Sequence, residues 1–151
     1  MYSYQEHKLL PPTVDNIKNL ETIRYRAYGK EYDGEIENNY YARNLISGEM
    51  LLFATFIGEE LCAGCYISIS QNSLFIEQLF VKPEYQNTGL RIGRNLLEYI
   101  NFNKDIIAKH YNLKSIQTSR LIYSSEKSKA IYKKLGYRVT NKTLNIMTKH
   151  I

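Results

Sequence analysis

The stretch Leu74–Ile100, LFIEQLFVKPEYQNTGLRIGRNLLEYI, constrains the fold of this chain most strongly. It begins as an apolar strand, turns at Pro83, passes through a polar loop that contains Gly89 and ends as an amphipathic helix. The first backbone N–H groups of a helix have no intrahelical partner, and the helix dipole places partial positive charge there. This arrangement therefore predicts a site for an anion, most naturally a phosphate.

The length and composition of the chain predict one domain. A chain of 151 residues, 44% of them hydrophobic, is long enough for one domain with a core and short for two, so we expect a single domain over residues 1–151. No apolar run approaches the length of a membrane span, and the first residues, MYSYQEHKLL, lack the hydrophobic region of a signal peptide. These features predict a cytoplasmic protein with no membrane partner.

The formal net charge of +5 favours an anionic ligand, which leaves nucleic acid, an anionic surface and a polyphosphate cofactor open. Fourteen tyrosines are compatible with base stacking, but they also line cores and polar pockets. A nucleic-acid-binding module therefore remains an alternative. Because the chain has no recognisable nucleic-acid-binding motif, we expect no nucleic-acid partner.

Two cysteines, Cys62 and Cys65, have the C-x-x-C spacing in LCAGCYISI. A redox motif would stand at a helix start and a zinc site would need a second ligand pair, whereas this run is typical of a strand. We expect both to be buried structural side chains and predict no metal site.

Periodicity and turn signals predict alternating helices and strands. The predicted helices cover about 13–28, 35–45, 92–109 and 125–135. The predicted strands cover 51–57, 61–69, 74–81, 112–118, 137–140 and 143–147. Short turns make the first three strands an antiparallel meander, and the long helix makes the fourth strand parallel to the third. The tyrosine-rich pair of N-terminal helices either packs on the sheet or forms a wall of an acceptor pocket.

Two motifs give the second half of the chain a resemblance to a known family. VKPEYQNTG at Val81–Gly89 is similar to the V-x-P-x-x-[QR]-x-x-G pyrophosphate loop of the GNAT superfamily of acyl-CoA-dependent N-acyltransferases. AIYKKLGY at Ala130–Tyr137 resembles the A-x-Y-x-K-L-G-[FY] helix end of the same family. The resemblance implies a single-domain α/β GNAT-like fold, with a mixed, mostly antiparallel sheet that is splayed at the central parallel strand pair and flanked by helices.

The chain departs from the family pattern just after Gly89. The motif usually continues G-x-[GA], but Arg91 stands at that third position, and Gly93 follows two residues later than the usual register. We interpret this as a two-residue insertion at the helix start. Arg91 and Arg94 then offer guanidinium contacts to phosphate.

The resemblance implies acetyl-CoA as co-substrate, with its pyrophosphate at the loop and its pantetheine arm along the strand that ends at Val81. The Val81 backbone N–H would polarise the thioester carbonyl. Ser125 occupies the place of an asparagine that contacts the cofactor in many members. The implied cofactor-binding positions are Phe80, Val81, Gln86, Asn87, Thr88, Gly89, Leu90, Arg91 and Ser125.

Two residues are candidates for catalysis. Tyr132 matches the general-acid tyrosine of the family, which would protonate the leaving thiolate; its alternative is a packing role on the helix. Glu77 interrupts an apolar strand just before the cofactor edge, which makes it a candidate base for the amine. An edge or solvent-facing glutamate remains an equal alternative for Glu77, and water serves as the base in many family members.

The resemblance therefore implies an N-acetyltransferase that transfers an acetyl group from acetyl-CoA to a primary amine by direct attack in a ternary complex. The acceptor would be a small molecule, a peptide or a protein. A non-catalytic, CoA-binding GNAT-like domain is an alternative. Dimers are frequent in the family, so a homodimer is also open.

Overall fold

A computed structural model describes residues 4–151, which form strands and helices. The strands are β1 (Gln5–Leu10), β2 (Leu51–Ile57), β3 (Glu60–Ser70), β4 (Ser73–Val81), β5 (Thr118–Ile122), β6 (Arg138–Asn141) and β7 (Ile146–His150). The helices are α1 (Val14–Ala27), α2 (Tyr40–Ser47), α3 (Ile92–Phe102), α4 (Lys104–His110) and α5 (Glu126–Lys134). A short 3-10 turn, Pro83–Tyr85, follows β4.

The strands form a mixed sheet in the order β1-β2-β3-β4-β5-β7-β6, with β4 and β5 parallel. The chain forms two compact units, and β3 and β4 each contribute residues to both. The first unit comprises the described residues up to Ile67 together with Gln78–Ile100. The second comprises Ser68–Glu77 and Asn101–Ile151. The α/β class and the mixed, mostly antiparallel sheet with its parallel pair are as the sequence predicted.

In the first unit, β2 pairs antiparallel with both β1 and β3. Helix α1 packs on these strands through Ile17 and Leu20, which are fully buried. A Cβ at Gly64 would lie 2.6 Å from side-chain atoms of both Leu20 and Phe80. Only a glycine therefore lets helix α1 and the Phe80 ring approach β3 this closely.

A buried carboxylate, Glu21, joins α1 to its neighbours in the first unit. It accepts hydrogen bonds from Arg24 Nε at 2.6 Å, Asn39 Nδ2 at 2.7 Å and Tyr66 Oη at 2.8 Å. Burial and the Glu21 carboxylate hold the pKa of the Tyr66 phenol well above its ordinary value, so the phenol stays a donor. Because its oxygens are paired, the carboxylate is tolerated inside the unit.

In the second unit, the first half of β4 pairs with β5 over Leu74–Ile76, although β4 itself continues to Val81. This short parallel ladder agrees with the predicted splay. Strand β7 pairs antiparallel with β5 on one side and with β6 on the other. The buried face of these strands carries Leu121 and Met147.

Both cysteines of the C-x-x-C spacing are buried and free, as predicted. Burial raises the pKa of both Cys62 and Cys65, so neither thiol ionises readily. Within residues 4–151, no three His, Cys, Asp or Glu side chains are grouped as metal ligands would be. Over the same range, every helix is too short or too polar to cross a bilayer.

Two predicted helices have the wrong bounds. The second starts at Tyr40 rather than near residue 35, because the Asn39 side chain caps it by accepting from Ala42 N at 3.0 Å. The predicted helix over 92–109 is two helices, since Asn103 leaves the helical region (φ −94°, ψ 25°) between α3 and α4. Asparagine disfavours helix interiors because its side chain competes for backbone hydrogen bonds.

Two predicted strands are displaced. Strand β5 spans Thr118–Ile122 instead of 112–118, because Leu113 N still bonds to Ala108 O and closes α4 at 2.8 Å. The last strand begins at Ile146 instead of 143, because Asn141 Oδ1 accepts from Leu144 N at 3.0 Å and holds a turn. The predicted parallel direction of β5 is confirmed.

Candidate active site

The loop between β4 and α3 contains three left-handed residues that alternate along the chain. They are Asn87 (φ 59°), Gly89 (φ 81°) and Arg91 (φ 54°). For a residue with a Cβ, this conformation costs about 1–2 kcal/mol, so Arg91 is held against a local strain. The interpreted two-residue insertion falls in this alternating stretch.

The start of α3 leaves a set of backbone donors in one place. The first intrahelical bond runs from Asn95 N to Arg91 O at 2.9 Å, so the N–H groups of Ile92, Gly93 and Arg94 precede it. A left-handed residue followed by helical ones turns successive N–H groups toward a common point, which is an anion-binding arrangement. Such a donor set can bind an anion.

Side chains within the loop hold its shape. Gln86 donates from Nε2 to Val81 O at 2.9 Å, and Thr88 donates from Oγ1 to Tyr85 O at 2.9 Å. The Leu90 carbonyl accepts from Gln5 Nε2 at 2.8 Å. Gln86, Thr88 and Leu90 lie in the predicted cofactor loop, but these groups are already used in hydrogen bonds inside the protein.

The end of β4 touches the start of α3. A Cβ at Gly93 would lie 3.2 Å from Val81 Cγ2, so the displaced glycine is where the helix approaches the strand. The Phe80 ring is buried and lies 5.2 Å from the Tyr66 ring, centroid to centroid. The side chain of Phe80 is therefore part of the core, and only its backbone can face a ligand.

Tyrosines of the two N-terminal helices meet the second half of β4. Gln78 donates from Nε2 to Tyr41 Oη at 2.9 Å and accepts from Tyr28 Oη at 3.1 Å. Tyr28 and Tyr40 remain more than half exposed, at 60% and 56%. The helices thus pack on the strand and also present phenols beside it. Both predicted roles, packing on the sheet and forming a wall of an acceptor pocket, therefore stay open.

In the second unit, Tyr132 is half-buried on α5, and its ring centroid lies 6.1 Å from that of Tyr137. Tyr137 is buried, and its Oη accepts from Asn101 Nδ2 at 2.8 Å and shares a hydrogen bond with Ser119 Oγ at 2.7 Å. Tyr132 therefore rests against a ring that is anchored from two elements. Asn101 and Ser119 were not predicted from the sequence, because neither lies in a motif and the strand that carries Ser119 was predicted at 112–118 instead of Thr118–Ile122.

Ser125 is the N-cap of α5. Its Oγ accepts from Ser128 N at 3.1 Å, and Ser128 Oγ in turn accepts from Ser125 N at 3.1 Å, which completes a capping box. The side chain therefore has a structural partner at the position where the resemblance implies a cofactor contact.

Glu77 is half-buried in the first half of β4. Burial raises the pKa of its carboxyl, and a hydrogen bond with Ser68 opposes that shift only in part. A raised pKa makes this carboxylate a stronger base than an ordinary glutamate. Glu77, Ser125 and Tyr132 thus lie on β4, at the start of α5 and within α5, respectively.

The mixed α/β sheet and the loop that leads from β4 into the N-terminus of α3 define the GNAT class of folds. The chain matches the family model of the acetyltransferase (GNAT) domain over residues 18–146, and it belongs to that family. A comparison with curated proteins gives no match.

Solved structures share this fold over nearly the whole chain. The PaiA N-acetyltransferase of Thermoplasma acidophilum, solved in complex with coenzyme A, is 22% identical, with a TM-score of 0.64 over 97% of this chain and 99% of that one. The ribosomal-protein-S18-alanine N-acetyltransferase of Escherichia coli is 18% identical, with a TM-score of 0.64 over 98% and 94%. An IAA acetyltransferase of Bacillus cereus is 14% identical, with a TM-score of 0.65 over 98% and 100%.

Proposed function

We propose that this protein is an acetyl-CoA-dependent N-acetyltransferase that acts on a primary amine by direct attack in a ternary complex. Family membership supports acetyl transfer in general. The observation that carries the proposal is the loop between β4 and α3, in which alternating left-handed residues bring unpaired N–H groups together. The proposal retains the acceptor classes and the cytoplasmic location predicted from the sequence.

The loop would hold the pyrophosphate of acetyl-CoA. Its ligands would be the N–H groups at the start of α3 and the exposed guanidinium of Arg91, which can form charge-assisted bonds to phosphate. A thioester supplies an activated acyl group. The N–H of Val81 would stabilise the charge that develops on its carbonyl oxygen, a contact worth on the order of 3 kcal/mol in comparable sites.

Glu77 would take the proton from the amine. An alkylammonium with a pKa near 10.4 requires roughly 4–5 kcal/mol to deprotonate at pH 7. A base with a raised pKa lowers that cost more than an ordinary carboxylate does, because its proton affinity is closer to that of the amine. The direction of the Glu77 shift supports this role.

Tyr132 would give a proton to the leaving thiolate. A phenol near pKa 10 can donate to a thiolate of similar basicity without ionising beforehand. The buried Tyr137 ring beside it limits the positions that the Tyr132 ring can take.

Tyr132→Phe tests the proposal because it removes only the donating oxygen. We expect turnover to fall by roughly 10²–10⁴-fold with little change in the KM for acetyl-CoA, measured by thiol release with a panel of primary amines. Tyr4→Phe, the same change at a tyrosine that is 71% exposed, is the matched control. Unchanged turnover in Tyr132→Phe would remove this residue from the mechanism.

The loop around the strained Arg91 departs from the usual family motif. A non-catalytic, CoA-binding domain is therefore the alternative to an enzyme. Calorimetry together with the thiol-release assay separates the two. Binding of acetyl-CoA without thiol release for any amine would favour the alternative, and no binding would exclude both.

A further inference from the structure

One face of the β5-β7-β6 strands in the second unit carries an unusual row of side chains. Thr148 of β7 is the register partner of Arg120 on β5 and of Arg138 on β6. Directly paired residues project on the same side of a sheet, so these three side chains form one row across three strands. At about 4.8 Å per strand, the two arginine backbones are roughly 10 Å apart.

The same face continues along the strands with hydrogen-bonding groups. His150 pairs with Thr118 in register, and Thr140 Oγ1 lies 2.8 Å from Thr148 Oγ1. We call this surface the basic face; it consists of Thr118, Arg120, Arg138, Thr140, Thr148 and His150. All six side chains are exposed or partly exposed, whereas residues on the opposite face, such as Leu121 and Met147, are buried.

The two arginines of the basic face have no acidic partner. Neither guanidinium forms an ion pair or a hydrogen bond within residues 4–151.

Charge is also divided unevenly along the chain. The second unit has eleven Lys and Arg against three Asp and Glu, a formal charge of +8, and the first unit has nine against twelve, a charge of −3. Two unpaired arginines on an accessible surface attract an anion.

A cleft at the edge of the basic face gives that anion a place. It has a volume of about 290 Å³ and is lined by Gly136, Arg138, Thr148, Lys149 and His150. Arg138, Thr148 and His150 of the basic face line this cleft, and Lys149 lines it from the position between the last two on β7. Planar guanidinium groups with nearby hydroxyl donors match the oxygens of a phosphate.

Glu77 lies on the same side of the sheet as the basic face. Phe75 is the register partner of Arg120, and Glu77 follows two residues later on β4, where strand alternation returns the side chain to that side. It is the only carboxylate on the strand residues of the second unit. Glu77 is therefore one strand from Arg120 and three strands from Arg138 on the same side of the sheet.

We propose that the acceptor is an amine whose carrier bears phosphate, with the amine at Glu77 and the phosphate at the basic face. This inference rests on the proposed function, because it takes Glu77 as the site of the attacking amine. Two sources supply the same chemistry: a small phosphorylated amine, and an amine carried on a nucleic-acid backbone.

The test compares matched acceptors with and without phosphate. The pairs are glucosamine with glucosamine 6-phosphate, and 5′-amino-5′-deoxythymidine with a 5′-amino-modified oligothymidylate. We expect kcat/KM to be at least tenfold higher for the phosphorylated member of one pair. A steep loss of rate with salt would identify the oligonucleotide as the source, because several counterions are released, and a shallow loss would identify the small phosphate.

Arg120→Gln with Arg138→Gln should abolish this preference while leaving the plain amine and the KM for acetyl-CoA unchanged. Lys109→Gln with Lys114→Gln, which also removes two charges, but from exposed sites outside the basic face, is the control and should retain it. Thermal melting of each variant verifies that it is folded. Equal rates for both members of each pair, or an equal loss for both in the double variant, would overturn the inference.

Binding separates this inference from the proposed function. Calorimetry with glucosamine 6-phosphate and anisotropy with a fluorescein-labelled oligothymidylate need no turnover. Binding that the double variant loses, without acetylation of any amine, would retain the phosphate site and reject the N-acetyltransferase. Acetylation of plain amines, with no binding of either phosphate probe, would do the reverse.

Discussion

Two opposing effects act on the pKa of the Glu77 carboxyl. Burial on β4 raises the pKa of its carboxyl, and the hydrogen bond with Ser68 lowers it, with burial the larger effect. Its presence in an apolar run could be read from the sequence. The partial burial that sets its proton affinity comes from the packing of the second unit.

The pH dependence of activity should report this carboxyl. A general base acts when deprotonated, so kcat/KM should fall as pH decreases through the raised pKa of Glu77, above the range of an ordinary glutamate. Glu77→Gln should reduce kcat/KM by about 10²-fold and remove this acidic limb, measured from pH 5 to 9. Glu59→Gln, an exposed control, should keep the limb. A profile that is the same in Glu77→Gln would mean that another group or water is the base.

Helix α5 combines a structural cap with candidate functional residues. Its start was predictable because Ser125 precedes an acidic residue and a helical run, and its end because Gly136 follows Leu135 with φ +97°. By contrast, the bounds of β5 were not predictable. Leu113 and Ile116 have the alternation of a strand, but the closing turn of α4 uses the first of them and displaces the strand.

Substitutions at Ser125 can separate its cap from a cofactor contact. Ser125→Ala should lower the free energy of unfolding by about 1 kcal/mol, because it removes the acceptor for Ser128 N. Ser125→Asp should preserve stability, since aspartate is an equally good cap, but its charge should raise the KM for acetyl-CoA if the resemblance-implied contact exists. Urea denaturation and initial rates measure the two effects. An unchanged KM in Ser125→Asp would leave Ser125 with the cap alone.

Across the whole molecule, charge is segregated: the chain carries +5, but its two units carry −3 and +8. The net charge of +5 can be counted from the composition, and it predicted only that the protein prefers anionic ligands. The division depends on which segments form each unit, and the first unit takes residues from both sides of Ser68–Glu77. Contacts between distant segments of the chain therefore decide that the positive charge lies in the second unit.

Ligand binding should stabilise the entire chain. At a concentration of acetyl-CoA about 100 times its Kd, binding adds roughly 2.7 kcal/mol to the free energy of unfolding, which corresponds to a Tm increase of roughly 5–10 °C. S-acetylpantetheine, which lacks the phosphates, should give a much smaller shift if the loop before α3 is the main anchor. Differential scanning calorimetry measures both. Equal shifts for the two ligands would contradict the role assigned to the loop.

The start of α5 at Ser125 and the glycine-containing loop were determined by local sequence, because each depends on residues within a few positions of one another. The parallel direction of β5 followed from the helical connection that joins it to β4. Tertiary structure decided the left-handed conformation of Arg91, the anchoring of Tyr137 by Asn101 and Ser119, and the row that joins Arg120 to Arg138. These features depend on strand register and on packing between distant segments, and a one-residue change in register would reverse the face on which each side chain lies.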